Sequence, residues 1–344
     1  MTSRMALEAG EVPATVARLL AADGERVAAC ADALRAAPPR ALLTLARGSS
    51  DCAAHYTAYL VMARLGRLVT SLPMSLVTLY RARIDCDGLL ALAFSQSGAS
   101  PDLVEPMREF VARGAQGVAF VNDAGSPLAA AAGWVFPLHA GAETSVAATK
   151  SCVAQMTAGA RFVAAWQGDA ALARALAALP PLLDSALALA PRWAAAALPA
   201  LAPAERALVI GRGTGLALAM EAALKLKEVC GLHAEALSGA ELRHGPLALI
   251  EPGYPVLLFA PRGPAQAGLL ALAADLRARG AHLLLAAPAE DAADAALPLA
   301  TSADADLDPI AALVSLYPMV EALAAARGRD PDRPPHLSKV TRTR

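Results

Sequence analysis

Leu89-Leu-Ala-Leu-Ala-Phe94 runs into Ser95-Gln96-Ser97-Gly98-Ala99-Ser100 and then into Pro101-Asp102-Leu103-Val104, and this passage decides the fold class. The first six residues are apolar without alternation, as a strand buried on both faces requires. Ser100 suits an N-cap and Pro101 the first helical position, so a helix is predicted to follow. Strand, polar loop and helix make the unit from which parallel sheets are built.

The same alternation extends in both directions. Strands are predicted at Ala41–Ala46, Leu89–Phe94, Gly117–Val121 and Trp134–Leu138, and helices at Val12–Ala22, Gly24–Ala37, Cys52–Leu65, Pro101–Arg113, Ser126–Ala131 and Ala147–Trp166. Ala170–Ala204 carries five prolines and reads as one or two helices followed by a linker. The pattern then restarts, with strands at Ala207–Ile210, Val256–Phe259 and His282–Leu285 and helices at Leu216–Val229, Ala265–Arg279 and Pro309–Ala326. Arg47-Gly48-Ser49 and Arg212-Gly213-Thr214 both follow an apolar run, and Gly66 and Gly231 close the next helices at one offset. A duplicated α/β fold explains this better than one large sheet, chance similarity of βα units being the alternative. The expected layout is a helical segment over 1–40, domains over 41–195 and 196–327, and a polar tail over 328–344.

Composition narrows the function. A chain of 344 residues exceeds one ordinary core, and 56% hydrophobic with 4% aromatic residues means a core of Ala, Leu and Val. A net charge of −1 with scattered Lys and Arg leaves no footprint for nucleic acid. Mean hydropathy is +0.43, yet the longest charge-free stretch, Ala124 to Ala142, is broken by prolines, glycines and His139. No membrane span and no secretory leader are expected. Five scattered cysteines without a CxxC fit a reduced, cytoplasmic setting, and no metal-ligand spacing occurs. Gly211-Arg212-Gly213 has Leu216 at the third glycine position of a dinucleotide fingerprint, so no cofactor is expected.

Three groups carry candidate chemistry. The Ser95–Ser100 loop reads either as a capped polar turn or as an anion site formed by hydroxyls and a helix N-terminus. Its place after a buried strand favours the anion. Glu221, Lys225 and Glu228 share one helical face, either as solvated salt bridges or as a buried carboxylate beside a lysine, which makes a tunable base. His244, between Arg243 and Gly245-Pro246, sits in a turn and can serve as acid or base.

Together these segments resemble the sugar-isomerase (SIS) family, and especially the isomerase half of glutamine–fructose-6-phosphate aminotransferase. The strings are Ser95-Gln-Ser-Gly98, Val146-Ala-Ala-Thr-Lys150, Glu221-Ala-Ala-Leu-Lys-Leu-Lys-Glu228, His233-Ala-Glu-Ala236, Glu241-Leu-Arg-His-Gly-Pro-Leu-Ala248 and His336-Leu-Ser-Lys339. The resemblance implies two tandem SIS domains, each a parallel, doubly wound, Rossmann-like sheet flanked by helices, paired as a homodimer. It assigns sugar-phosphate binding to Ser50, Ser95, Gln96, Ser97 and Ser100. It makes Glu228 the base that moves a proton between C1 and C2, with Lys225 beside it. Lys339 is assigned a Schiff base with the sugar, and His244, reaching in from a second subunit, ring opening.

Two departures set the expected direction. The sequence shows no glutaminase segment with an N-terminal cysteine, and Ala148 and Asp51 stand where the synthase pattern has serine and tyrosine. The strings Arg47-Gly-Ser-Ser-Asp51 and Val146-Ala-Ala-Thr-Lys-Ser151 look more like the stand-alone glucosamine-6-phosphate deaminases. Deamination of glucosamine 6-phosphate to fructose 6-phosphate is therefore expected. The alternatives are an isomerase or deaminase for a galactosamine- or tagatose-type phosphate, and a non-catalytic sugar-phosphate sensor.

Overall fold

Parallel strands cannot be joined by hairpins, so each buried apolar run must be followed by a crossover, and here the crossovers are helices. The computed structural model describes residues 2–339. The chain divides into two units, each built on one five-stranded sheet.

The first-sheet unit holds Ala14–Glu143, Lys150–Ala177 and the tail residues Ser338 and Lys339. Its strands are β1 (Ala41–Leu45), β2 (Val69–Ser71), β3 (Leu89–Ser95), β4 (Gln116–Val121) and β5 (Trp134–Pro137). All pair in parallel, in the order β2-β1-β3-β4-β5. Every residue of the central strand β3 is buried, which is why its sequence shows no alternation. Phe94 of β3 stacks on Phe120 of β4 at 4.5 Å between ring centres. Strand β2 went unpredicted because it is a three-residue edge strand with two exposed positions, too short for a periodic signal.

The second-sheet unit holds residues 2–13, Thr144–Thr149 and Ala178–Leu337. Its strands β6 (Arg206–Gly211), β7 (His233–Ser238), β8 (Pro255–Phe259), β9 (His282–Ala287) and β10 (Leu297–Pro298) are also all parallel. Read from the edge strand inward, their order β7-β6-β8-β9-β10 repeats that of the first sheet. The duplication expected from the sequence is therefore real at the level of topology. Strands β7 and β10 had no prediction, β7 because it lies at an edge and buries only Ala234 fully.

Other sequence expectations shift at their edges. A short helix, Arg4–Gly10, precedes the predicted ones, with Ser3 at its N-cap accepting from the Ala6 N–H. The helix expected from Ala147 begins at Lys150. Pro191 and Pro199 do not open a linker: they lie inside one 23-residue helix, Leu179–Leu201. Each proline removes a backbone hydrogen bond there, and burial of Leu183, Ala186, Trp193, Ala197 and Leu201 along one face offsets the cost. Trp193 Nε1 also donates to the Pro298 carbonyl at 2.9 Å. The stretch Ala305–Ala326 reaches a mean hydropathy of 1.6, long and apolar enough to cross a bilayer by composition alone. In the fold its helix, Asp308–Ala326, is a mostly buried core element, its Ser315 Oγ donating to the Ala186 carbonyl at 2.7 Å.

In the first-sheet unit the helices Ser49–Leu65 and Lys150–Gln167 meet at Gly159 and Thr57. A Cβ on Gly159 would collide with Thr57 Oγ1, which is committed to the Ala53 carbonyl at 2.9 Å and cannot simply rotate away. Gly159→Ala gains about 1 kcal/mol of helix propensity, but overpacking costs about 1–3 kcal/mol. The net loss of up to about 2 kcal/mol should lower the melting temperature by at most about 4 °C by calorimetry, and a stabilised variant would show that the helices can separate freely.

Candidate active site

Strand β3 ends at Ser95, whose buried Oγ accepts from the Gly98 N–H at 3.0 Å. Ser97 Oγ accepts from the Ala99 N–H at 3.3 Å. Gly98 has φ +61°, and a Cβ there would strike Ser126. Gly98 thus lets the loop close tightly onto Ser126, the N-cap of the helix Pro127–Ala131. The Gly98 carbonyl accepts from the Leu128 N–H at 3.0 Å, and that of Gln96 from Asn122 at 3.3 Å. Ser100 takes the N-cap position of the 12-residue helix Pro101–Ala112, with Pro101 first in the helix, as expected. That helix end presents roughly half a positive charge beside three hydroxyls.

Strand β1 neighbours β3 and continues into Arg47-Gly48-Ser49-Ser50. The connections from β1 and β3 leave in opposite directions along the sheet, so both loops flank a topological switch point, the usual ligand crevice of doubly wound sheets. Arg47 Nε pairs with the buried Asp102 at 2.9 Å, tying the β1 loop to the helix that follows β3. Ser50 Oγ accepts from Gln155 Nε2 at 3.0 Å. Asp51 and His55, one turn apart, line a pocket of about 270 Å³ with Thr44, Thr70 and Ser71. Burial pushes the Asp51 carboxyl up and the His55 imidazole down.

In the same unit the tail brings Lys339 to Glu143. Lys339 Nζ donates to Glu143 Oε2 at 2.8 Å, and Ser151 donates to Glu143 from its N–H at 3.0 Å and its Oγ at 2.7 Å. The Glu143 side chain is fully buried. Burial alone would raise its carboxyl, but the Lys339 charge and hydrogen bond and the two Ser151 bonds outweigh that and hold it below the ordinary value. Sequence reasoning missed Glu143. The only signal was its position at the end of the charge-free stretch, three residues before the Val146–Lys150 string.

In the second-sheet unit the Glu-Lys-Glu face is buried. Glu221 and Lys225 are 0% and 1% exposed and Glu228 is 25% exposed, so the solvated-stripe reading fails. Lys225 Nζ pairs with Glu228 and lies 3.8 Å from Glu221 Oε1. Tyr317, which no sequence pattern marked, donates to Glu221 Oε1 at 3.2 Å. His244 caps the short helix Gly239–Arg243 and is exposed, in the turn expected for it. Glu8, also unmarked, is buried and accepts from the Ser145 N–H at 3.2 Å and Thr144 Oγ1 at 3.1 Å, fixing the start of the Thr144–Thr149 segment. Among the described residues no three His, Cys, Asp or Glu side chains are grouped to hold a metal ion.

The SIS domain family matches residues 37–165 and again residues 200–326. The chain belongs to the SIS domain family. Glutamine–fructose-6-phosphate aminotransferase of Thermus thermophilus is 34% identical over 309 residues, covering 86% of this chain and 51% of that enzyme. The chain thus spans about half the length of the curated relatives it matches. A Silicibacter pomeroyi protein proposed to be a phosphosugar isomerase superposes with a TM-score of 0.89 at 42% identity, covering 96% of this chain and all of that one. Glucosamine-6-phosphate deaminase from Thermotoga maritima shares the fold at 19% identity, with a TM-score of 0.79 over 99% of this SIS chain and 100% of its own.

The Glu143 geometry sets a pH dependence. A carboxyl held below its ordinary value of 4.5 stabilises the fold above that pH, and the contribution disappears as pH falls through the lowered folded value. Glu143→Gln should cost roughly 2 kcal/mol near neutral pH, with the gap to wild type closing in acid. Melting temperatures of both proteins from pH 7 to pH 3 check this, and a gap that widens in acid would contradict it.

Proposed function

We propose that the chain deaminates and isomerises glucosamine 6-phosphate to fructose 6-phosphate and ammonia. The observation that carries the reading is Glu228, a partly exposed carboxylate held by the buried Lys225. A base that must reach substrate yet keep one position needs that combination. The Ser95–Ser100 loop and Ser50 supply the phosphate and hydroxyl contacts, through a helix N-terminus and hydroxyls rather than through a cluster of cations.

In this reaction His244 assists ring opening, giving the aldehyde at C1. Glu228 takes the C2 proton and returns it to C1, converting the amino-aldose to the imine of fructose. Lys339 displaces ammonia from C2, and water releases fructose 6-phosphate and restores the lysine. The balance is glucosamine 6-phosphate and water to fructose 6-phosphate and ammonia. Asp51 and Ala148, where the synthase pattern has tyrosine and serine, favour deamination over synthesis. His244, exposed at a helix end, is assigned to the site of a second copy of the chain.

Glu228→Gln should lower turnover about 10²–10⁴-fold, the usual contribution of a positioned base. His244→Ala should also be inactive alone. Mixing and reassembling the two variants should restore partial activity, because one site of a mixed dimer then holds both wild-type residues. The measurement is ammonia release from glucosamine 6-phosphate, run beside the galactosamine and tagatose phosphates. Binding without turnover across that panel would replace the enzyme with a sensor, and turnover by Glu228→Gln within a few-fold of wild type would remove Glu228 as the base.

A further inference from the structure

Lys339 lies on a polar tail, and a lysine has four freely rotating side-chain bonds, so an unanchored amine would seldom occupy an attacking position. The structure gives it an anchor. Glu143 is fully buried, and both its oxygens are fixed by Ser151, in the first turn of the helix Lys150–Gln167. Ser151 alone supplies each oxygen with a donor, so the carboxylate needs no lysine to be satisfied as a helix cap. Lys339 Nζ is an additional donor, arriving from 196 positions away in the chain. One turn along the same helix face, about 6 Å by the helical rise, Gln155 holds Ser50. A single rigid face therefore carries both the anchor of the amine and the partner of a candidate sugar-binding serine.

We propose that Glu143 is the positioning residue and counter-ion of Lys339, holding its nitrogen as ammonium before imine formation and as iminium after it. This rests on the reading that Lys339 forms the covalent intermediate. With the neutral sugar imine, the lysine ammonium and C2=NH go to C2=NH⁺–Lys339 and NH₃: the Nζ–C2 bond forms, the C2–NH bond breaks, and two Nζ protons leave with the departing nitrogen. With the ketose, the ammonium and C2=O go to the same iminium and water. The nitrogen bears one positive charge on both sides, so the carboxylate's charge leaves the balance of the step unchanged. One Nζ proton must first pass to the departing nitrogen or oxygen to free the attacking lone pair, and what the carboxylate adds to the rate is the position of Nζ while this happens.

The test is borohydride trapping with fructose 6-phosphate, followed by mass spectrometry of the Lys339 peptide. Affinity for the sugar alcohol sorbitol 6-phosphate, which has no carbonyl, is measured in parallel. Glu143→Gln should trap at least tenfold more slowly than wild type, while sorbitol 6-phosphate binds within about twofold, a split that general loosening of the fold would not produce. Glu143→Asp should recover part of the rate. Ser151→Ala keeps the Glu143 charge, the Ser151 N–H and the Lys339 bond but loses the Oγ support, a milder change than Glu143→Gln. It should slow trapping a few-fold, so a variant is available even if Glu143→Gln does not fold. Trapping by Glu143→Gln within twofold of wild type overturns the proposal while leaving the covalent lysine intact. If Glu143→Gln is unfolded, an unchanged rate in Ser151→Ala overturns it. A wild-type chain that binds sorbitol 6-phosphate but forms no Lys339 adduct removes the covalent step itself, and the role of Glu143 with it.

Discussion

The crossing of the helices Ser49–Leu65 and Lys150–Gln167 is the constraint on which the first-sheet site depends. The two helices run in the same direction. Cys152 Sγ lies 3.5 Å from the Ser49 carbonyl, Gln155 holds Ser50, and Gly159 lies against Thr57 two turns further along. Only a residue without a Cβ allows that last approach. Gly in a helix interior is unfavourable by about 1 kcal/mol, so packing supplies what local propensity does not. Ser151, carried by the same helix, then fixes Glu143, and Glu143 fixes the tail lysine. A close contact of two small residues thus sets the coordinates of polar groups further along the same helix.

The two sheets show how far one topology can diverge. In the first, β1 and β3 open into Arg47-Gly48-Ser49-Ser50 and Ser95-Gln96-Ser97-Gly98, with hydroxyls at the switch point. In the second, β8 opens into Ala260-Pro261-Arg262, and Arg262 makes a two-pronged pair with the buried Asp308, both bonds 2.8 Å. Asp308 also accepts from the Ser302 N–H at 2.8 Å. A bidentate arginine–carboxylate pair leaves that arginine engaged rather than waiting for an anion. The second unit instead places its polar groups on the helix after β6, where Glu221, Lys225 and Glu228 lie. Fold and site separate here, the same strand order serving two different polar arrangements.

What the sequence could show follows from the range of each interaction. The strands β1, β3, β4 and β8 and the Ser95–Ser100 loop are written locally, in apolar runs and capping residues, and were legible. The edge strands β2 and β7 bury too little to leave a periodic signature, and β10, though buried, is only two residues long. The prolines of Leu179–Leu201 misled because their local cost is offset by burial that only the folded unit reveals. At the site, the spacing of Glu221, Lys225 and Glu228 was plain, but whether that face met water or core was not. Glu143 and Tyr317 were illegible for a different reason. Their partners, Lys339 and Glu221, lie 196 and 96 positions away, beyond any local pattern.

Burial also ranks the groups of the Glu-Lys-Glu face. Lys225 is a single amine between two carboxylates, and Tyr317 donates to the one that is completely enclosed. Glu221 has no exposed surface through which to exchange a proton with substrate or solvent. Its place among Lys225 and Tyr317 suits it to hold the lysine. Glu228, at the last position of the helix Gly215–Glu228, keeps a quarter of its side chain exposed while its other side is held by Lys225. Exchange at Glu228 therefore requires no opening of the core, whereas exchange at Glu221, which is fully buried, would require one. Of two carboxylates seven residues and about two turns apart, position relative to the helix end decides which one can exchange a proton with solvent and which one cannot.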